Sequence, residues 1–284
     1  MKLIKRLPAV AGYFYEATSD ALINRIKWCF THSLGPGRLP SRYEGRLKES
    51  IGYVVPHAGY MYSGPVAAHA YYRIALEGKP DTFVILGPNH TGLGTAVSIY
   101  DKGVWSTPLG DVEVDSELAL EIVRRSNYVD VNYDAHKFEH SIEVQLPFLQ
   151  YIFGTFKFVP IVLAYQVPEI AKDLANSIAS ASKELGRDVI ILASSDMTHY
   201  EPDDIARKKD HDVLEHIVRL DPMKVFEVIN KENVSMCGVG PVLTLLYYAN
   251  KVGGSKGEVL KYATSGDITG ERDAVVGYAA VRIL

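Results

Sequence analysis

"DVIILASSDMTHYEP", residues 188–202, decides what kind of sheet this chain builds. Val189 to Ala193 are apolar without a break, so a strand formed there can show neither face to water. Such strands belong to parallel or mixed sheets covered by helices on both sides, whereas one-sided antiparallel sheets alternate. The loop that follows carries Asp196 and His199 past the C-terminal end of the strand, where open α/β sheets place their ligands.

Outward from this stretch the pattern repeats. "SIGYVV" (50–55), "DTFVIL" (81–86) and "FKFVPIVLA" (156–164) are solidly apolar runs. "TAVSIY" (95–100) and "GDVEVD" (110–115) are shorter strands around "VWSTPLG", and "EVLKYAT" (258–264) and "AVVGYAAVRI" (274–283) close the chain. Helical periodicity lies between them. Residues 19–32 place Leu22, Ile26, Cys29 and Phe30 on one face, ahead of Gly35-Pro36-Gly37. Ser63 as cap with Pro65 in the first turn predicts a helix to about Leu76, and Asp115-Ser116 opens another over 117–125. Further helices are expected over 167–186, Asp204–Arg219, Pro222–Asn230 and 241–252. Alternating strands and helices without a repeat or clear linker predict one α/β domain over residues 1–284, an αβα sandwich with a central mixed, largely parallel sheet.

The 284 residues are 47% hydrophobic and 23% charged, with a net charge of -4. That is the balance of an ordinary globule, and the absence of a long basic run excludes electrostatic capture of nucleic acid or of an anionic membrane. The first residues show no apolar signal region, and no apolar run reaches membrane-spanning length. Two cysteines far apart, Cys29 and Cys237, argue against a disulfide framework and for a reducing cytoplasm. Nothing in the composition excludes a homo-oligomer.

Three strands end in histidine. His57 follows Val55, His90 lies just past Leu86, and His199 lies past Ala193. Any one of them alone reads as a loop histidine with a hydrogen bond. Their shared placement, with glycine and proline in "PHAG" and "GPNH" to turn the backbone, points to one crevice and to metal ligation or acid–base work. Cys237 precedes the helix that starts near Pro241. A helix N-terminus favours thiolate, so a thiol pKa below the free value is expected there. Cys29, on an apolar helix face, reads as a small buried hydrophobe. Asp196, three residues before His199, either orients that imidazole or caps local backbone.

Two motifs are decoys. His136, Glu139 and His140 spell H-x-x-E-H, the inverted zinc-peptidase signature. The apolar period begins only after Ser141, at Ile142, Leu146, Leu149 and Phe153, so Ser141 or a neighbour is the expected cap and the histidines precede the helix. Pro147 is expected to bend or interrupt the helix beyond it. "GGSKG" (253–257) matches a nucleophile elbow but follows a helix and precedes a strand, the wrong order.

"PAVAGYFY" (8–15), "VPHAGYMYSG" (55–64), "ILGPNHTG" (85–92), "TPLGDVEVD" (107–115), "EHSIEVQLPFLQ" (139–150), "SSDMTHY" (194–200), "MCG" (236–238) and "TSGDITGERDAVVGYAA" (264–280) together resemble the Memo-like family, nearly end to end and in order. That family is similar in fold to the class III, LigB-type extradiol dioxygenases, which hold non-haem iron with two histidines and a carboxylate. The resemblance implies a site of His57, His90, His199 and Cys237. It places "EHSIE" beside the same crevice, with His140 and Glu143 supporting the ligands from behind and His136 outside the motif. Cys237 replaces the carboxylate of the dioxygenases, and a thiolate is a softer donor. Val239-Gly240 stands where some members carry basic or histidine residues.

The expected function is therefore a metal-binding protein with His57, His90 and Cys237 as ligands and His199, with Asp196, as acid/base. Iron or copper is the expected metal, and zinc is also compatible. The reaction implied is a dioxygenase-like or redox transformation of a small molecule. The alternative is a non-catalytic module that binds a peptide or protein in the same crevice, with a zinc hydrolase as a lesser alternative.

Overall fold

The computed structural model of the chain describes residues 4–284. Its strands are β1 (Lys5–Arg6), β2 (Gly52–Val55), β3 (Thr82–Pro88), β4 (Val97–Ile99), β5 (Val104–Thr107), β6 (Gly110–Val114), β7 (Val129–Val131), β8 (Lys157–Leu163), β9 (Val189–Ser194), β10 (His199–Glu201), β11 (Gly257–Thr264) and β12 (Val275–Ile283). They join in one sheet whose main path runs β1-β5-β6-β8-β3-β9-β2-β12-β10. β11 pairs with β12, and β4 bridges β7 and β8. The centre, β8-β3-β9-β2, is parallel, and β12 lies antiparallel against β2.

Side chains alternate across this sheet as the strand period of two requires. Val84, Leu86, Ile191 and Ala193 face one core, and Phe83, Ile85, Ile190 and Leu192 face the other. The first core is covered by α3 (Ser116–Arg125), α6 (Pro168–Leu185), α7 (Asp203–Val218), α8 (Pro222–Lys231) and α9 (Val239–Val252). The second is covered by α1 (Ser19–Thr31), α2 (Tyr60–Glu77) and α5 (Leu146–Phe153). The result is the αβα sandwich expected of doubly buried strands. Each fully buried Leu, Ile, Val or Phe contributes roughly 1.5–3 kcal/mol. No helix among the described residues is long and apolar enough to cross a membrane.

Local chemistry explains the boundaries. Asp115 caps α3 by accepting from Leu118 N at 3.2 Å. The start of α2 differs from expectation. It begins at Tyr60, Ser63 lies inside the first turn with its hydroxyl on Ala58 O, and Pro65 sits within the helix, where it forfeits one bond to the carbonyl four residues back. The 140s differ as well. A short helix α4 (Asp134–Lys137) contains His136, and a 3₁₀ turn (Glu143–Gln145) runs into α5 with Gln145, not Ser141, at the cap. Pro147 is the second residue of α5. Its missing N–H is one that the first turn leaves unpaired anyway, so it starts the helix rather than breaking it.

Candidate metal centre

Register assembles the site. Val54 lies opposite Ala193, Val55 opposite Ser194, and Leu86 opposite Ala193, so β2, β3 and β9 end level at one edge of the sheet. His57, His90 and the 195–199 loop therefore leave the sheet together. Cys237 arrives from the other direction, one residue before Gly238, the cap position of α9. Gly238 is required by a close approach. A Cβ there would stand 2.4 Å from Ser194 O and 2.5 Å from Ser195 Cβ. With no side chain, Gly238 N donates to Ser195 Oγ at 2.9 Å, and the thiol is held over the end of β9.

His57, His90, His140, Asp196, His199 and Cys237 line one cleft of ≈ 520 Å³, with Phe14, Tyr200 and Ser235 also on its wall. The ligand-capable atoms of His57, His90 and Cys237 all lie within 4.8 Å of one another, and so do those of Asp196, His199 and Cys237. The ring centroids of His57, His90 and His140 are mutually 4.7–5.4 Å apart. His136 is elsewhere. It is fully buried, with Nε2 on Ser98 O at 3.1 Å, so the two histidines of H-x-x-E-H do not share a site.

The hydrogen bonds behind the cleft fix which nitrogen each imidazole presents. Ser194 Oγ gives its only proton to Ser141 O at 2.7 Å, and it accepts from Gln145 Nε2 at 2.9 Å. Towards His57 Nδ1, 2.8 Å away, it can only accept, so Nδ1 carries the hydrogen and Nε2 is bare. His90 Nδ1 donates to Glu139 Oε1 at 2.9 Å, and His199 Nδ1 donates to the carbonyl of Ser235 at 2.8 Å. In its neutral form each ring thus turns a bare Nε2 to the cleft, the tautomer a cation requires, with the other nitrogen anchored as is usual for ligating histidine. The donor set fits a metal ion: imidazole nitrogens and one sulfur within reach of each other.

Electrostatics follow from burial. Burial, then His140 and His90, hold His57 well below the usual imidazole range, so it stays neutral. His140 is lowered to about 4, chiefly by burial. Burial is the largest influence on His90 and lowers it, but the hydrogen bond and charge of Glu139, together with the charge of Asp196, outweigh burial and raise it. Burial alone would raise Glu139, but the bond from His90 and the backbone N–H of Ser141 hold it down to about 2. Asp196, whose Oδ1 accepts from His57 N at 2.9 Å, is pushed up to about 6 by burial.

Cys237 corrects an expectation. Burial and the nearby Asp196 carboxylate push its thiol above the ordinary value rather than below it. The helix start does not compensate for lost water. The thiol lies 3.2 Å from the bare His57 Nε2, with Asp196 N donating to its sulfur at 3.2 Å. Cys29 is buried and its thiol is likewise raised by burial, as an inert core residue should be.

Several supporting residues were not legible in the sequence. Glu139, dismissed with the decoy motif, anchors His90 through Nδ1 and through its backbone N at 2.6 Å. Ser194, Gln145 and Ser235 set tautomers. Only their closeness in sequence to Asp196, His140 and Cys237 hinted at a role. Glu143 makes no hydrogen bond to the imidazoles among the described residues, though its charge acts on His140. Fully buried, it pairs with Arg6 and accepts from Ala9 N, Val10 N and Tyr15 OH, which ties down the segment that carries Phe14 to 4.5 Å from His140.

A family model described as "Memo-like protein" matches residues 6–282. The chain belongs to the Memo-like family. Among its Memo-like relatives, a "MEMO1 family protein" of Ignicoccus hospitalis is 54% identical over 281 residues, covering 99% of both chains. Those of Sulfolobus acidocaldarius and Methanopyrus kandleri are 52% and 51% identical, over 98% of each chain. Among solved structures, an uncharacterized protein of Escherichia coli K12 superposes with a TM-score of 0.55 at 12% identity, over 81% of this Memo-like chain and 98% of its own. That likeness speaks to the fold alone.

Proposed function

We propose that this Memo-like protein holds one metal ion through His57 Nε2, His90 Nε2 and Cys237 Sγ and acts as a redox or dioxygenase-like enzyme on a small molecule in the adjoining cleft. The observation that carries the reading is the hydrogen-bond pattern that leaves each ring's Nε2 bare and facing inward. A mixed nitrogen and sulfur donor set favours iron or copper, with zinc also compatible. A bound ion would supply Lewis acidity, and redox chemistry if it is iron or copper.

The chain's own residues do the rest. Ser194 and Glu139 keep two imidazoles from rotating. His199, anchored through Nδ1, offers Nε2 as a proton acceptor at the open side of the cleft, and Asp196 beside it holds a proton more readily than an exposed carboxylate would. Phe14 and Tyr200 give the cleft an aromatic wall that suits a small phenolic or carbonyl compound.

Protein purified without chelator should carry metal near one equivalent, and a His57→Ala/His90→Ala double variant should lose it. Unchanged metal content in that variant would sink the ligand assignment. Oxygen uptake with a panel of small phenols should depend on His199. If ligands bind with no turnover and binding survives metal removal, the crevice is a binding module instead.

A further inference from the structure

A second cavity, of ≈ 470 Å³, opens between the residues that follow β1 and the short helix α4, and it shares no lining residue with the metal cleft. Lys5, Arg6 and Lys137 line it, opposed by the single carboxylate of Asp134. Two of these cations are committed: Lys5 to Asp111 at 2.9 Å, and Arg6 to Glu143 and to the carbonyls of His136 and Glu139. Lys137 makes no ion pair among the described residues, and its ammonium lies 5.2 Å over the exposed Phe138 ring.

Tyr100 is the second observation. It lines the same cavity and is only 3% exposed, yet its hydroxyl has no hydrogen-bond partner among the described residues. Its ring is fixed by edge contacts with Trp105, Tyr133 and His136. That hydroxyl is not sealed from water: it opens on the cavity, where the acidic group of a ligand can take the place of water. Leu7 and Phe138 are 66% and 60% exposed at this cavity, an unusual amount of apolar surface beside a donor and a free ammonium.

We propose that this cavity binds a small organic anion: a carboxylate, sulfonate or phosphate group on an apolar or aromatic body. The Tyr100 hydroxyl and the Lys137 ammonium hold the acidic head, and Leu7 and Phe138 cover the body. The volume is that of ordinary small-molecule sites. Arg6, on the cavity wall, also donates to Glu139 O, so the two sites meet at the segment that anchors His90.

The test uses 8-anilinonaphthalene-1-sulfonate as the probe, titrated into the full-length protein and followed by fluorescence and by calorimetry for stoichiometry. One saturable site is expected. Lys137→Glu should weaken it by about tenfold or more, and Tyr100→Phe by roughly three- to tenfold, the loss of one charge-assisted hydrogen bond. The His57→Ala/His90→Ala double variant should bind the dye as the parent does. No saturable binding, or binding that both cavity variants leave within about twofold, overturns the proposal. So does binding abolished by the double variant, which would put the dye in the metal cleft. Lys137 is exposed, so its variant keeps the test decisive even if Tyr100→Phe disturbs folding.

Discussion

Replacing Glu139 by glutamine tests whether the second coordination layer is built as described. The carboxylate is fully buried and accepts four hydrogen bonds: from His90 N at 2.6 Å and from His90 Nδ1, His140 N and Ser141 N at 2.9 Å each. Holding its pKa at about 2 instead of 4.5 means that the site prefers the ionised form by about 2.5 units, or about 3 kcal/mol at 1.36 kcal/mol per unit. Glutamine is a permanent imitation of the protonated acid and forfeits that preference. Its oxygen would take the Oε1 side, where three donors converge, and its amide would then face His90 N–H, donor against donor. The metal-free variant should be less stable by about 2–4 kcal/mol in urea unfolding. The sign also fixes a pH window. The parent's advantage is full above about pH 4.5, the unfolded value, and vanishes as pH falls to about 2, so the two proteins should converge in acid. Metal affinity should fall roughly 10–100-fold as His90 loses its orienting partner. Competition titration with a chromophoric chelator reads that number. An affinity within about threefold of the parent, with stability lost as above, would show that Glu139 supports the fold but not the centre.

Two further outcomes are expected. Gly238→Ala must move backbone or Ser195, since its Cβ would fall 2.4 Å from Ser194 O. It should cost about 1–3 kcal/mol in thermal or urea unfolding and displace the Cys237 sulfur, which the thiolate-to-metal absorption of a cobalt-loaded sample reports as a lost band. His136 is held neutral, lowered to about 3 by burial, so its contribution to stability is present above about pH 6.5 and is lost as pH falls towards 3. His136→Phe should flatten the pH dependence of unfolding free energy in that window by up to about 1.4 kcal/mol per pH unit, and an unchanged slope would refute the assignment.

The sheet was readable because the chain spells burial on both faces in uninterrupted apolar runs. β2, β3, β8 and β9 need no tertiary information to be recognised. β1, β7 and β10 are two or three residues long and carry no period, so pairing alone defines them. Pro65 misled because a proline more often opens a helix than sits inside one, and here packing of α2 overrides the lost hydrogen bond. That His57, His90 and His199 share one cleft followed from a rule about strand ends, and Cys237 was marked by its place just before a helix. Which nitrogen each ring presents did not, because Ser194, Gln145 and Glu139 act through bonds between segments 49–137 residues apart. The sign of the Cys237 shift failed for a related reason. Sequence shows a helix start but not how much water is lost there.

The position of β2 has a bearing on how the chain folds during synthesis. β2 is flanked by β9 and β12, so a strand made near residue 52 meets its partners only after residues 189–194 and 275–283 have been made. Until then its two edges offer unsatisfied amide and carbonyl groups, a liability that nascent sheets share with aggregating ones. The contacts that close the middle of the sheet are also the most distant in sequence, which slows the search for them. His57 rides on the end of that strand. An ion could help a finished sheet persist, but it could not act as an early template on the ribosome, because His57 and His90 are drawn together only through β9, and Cys237, the third proposed ligand, is made later still.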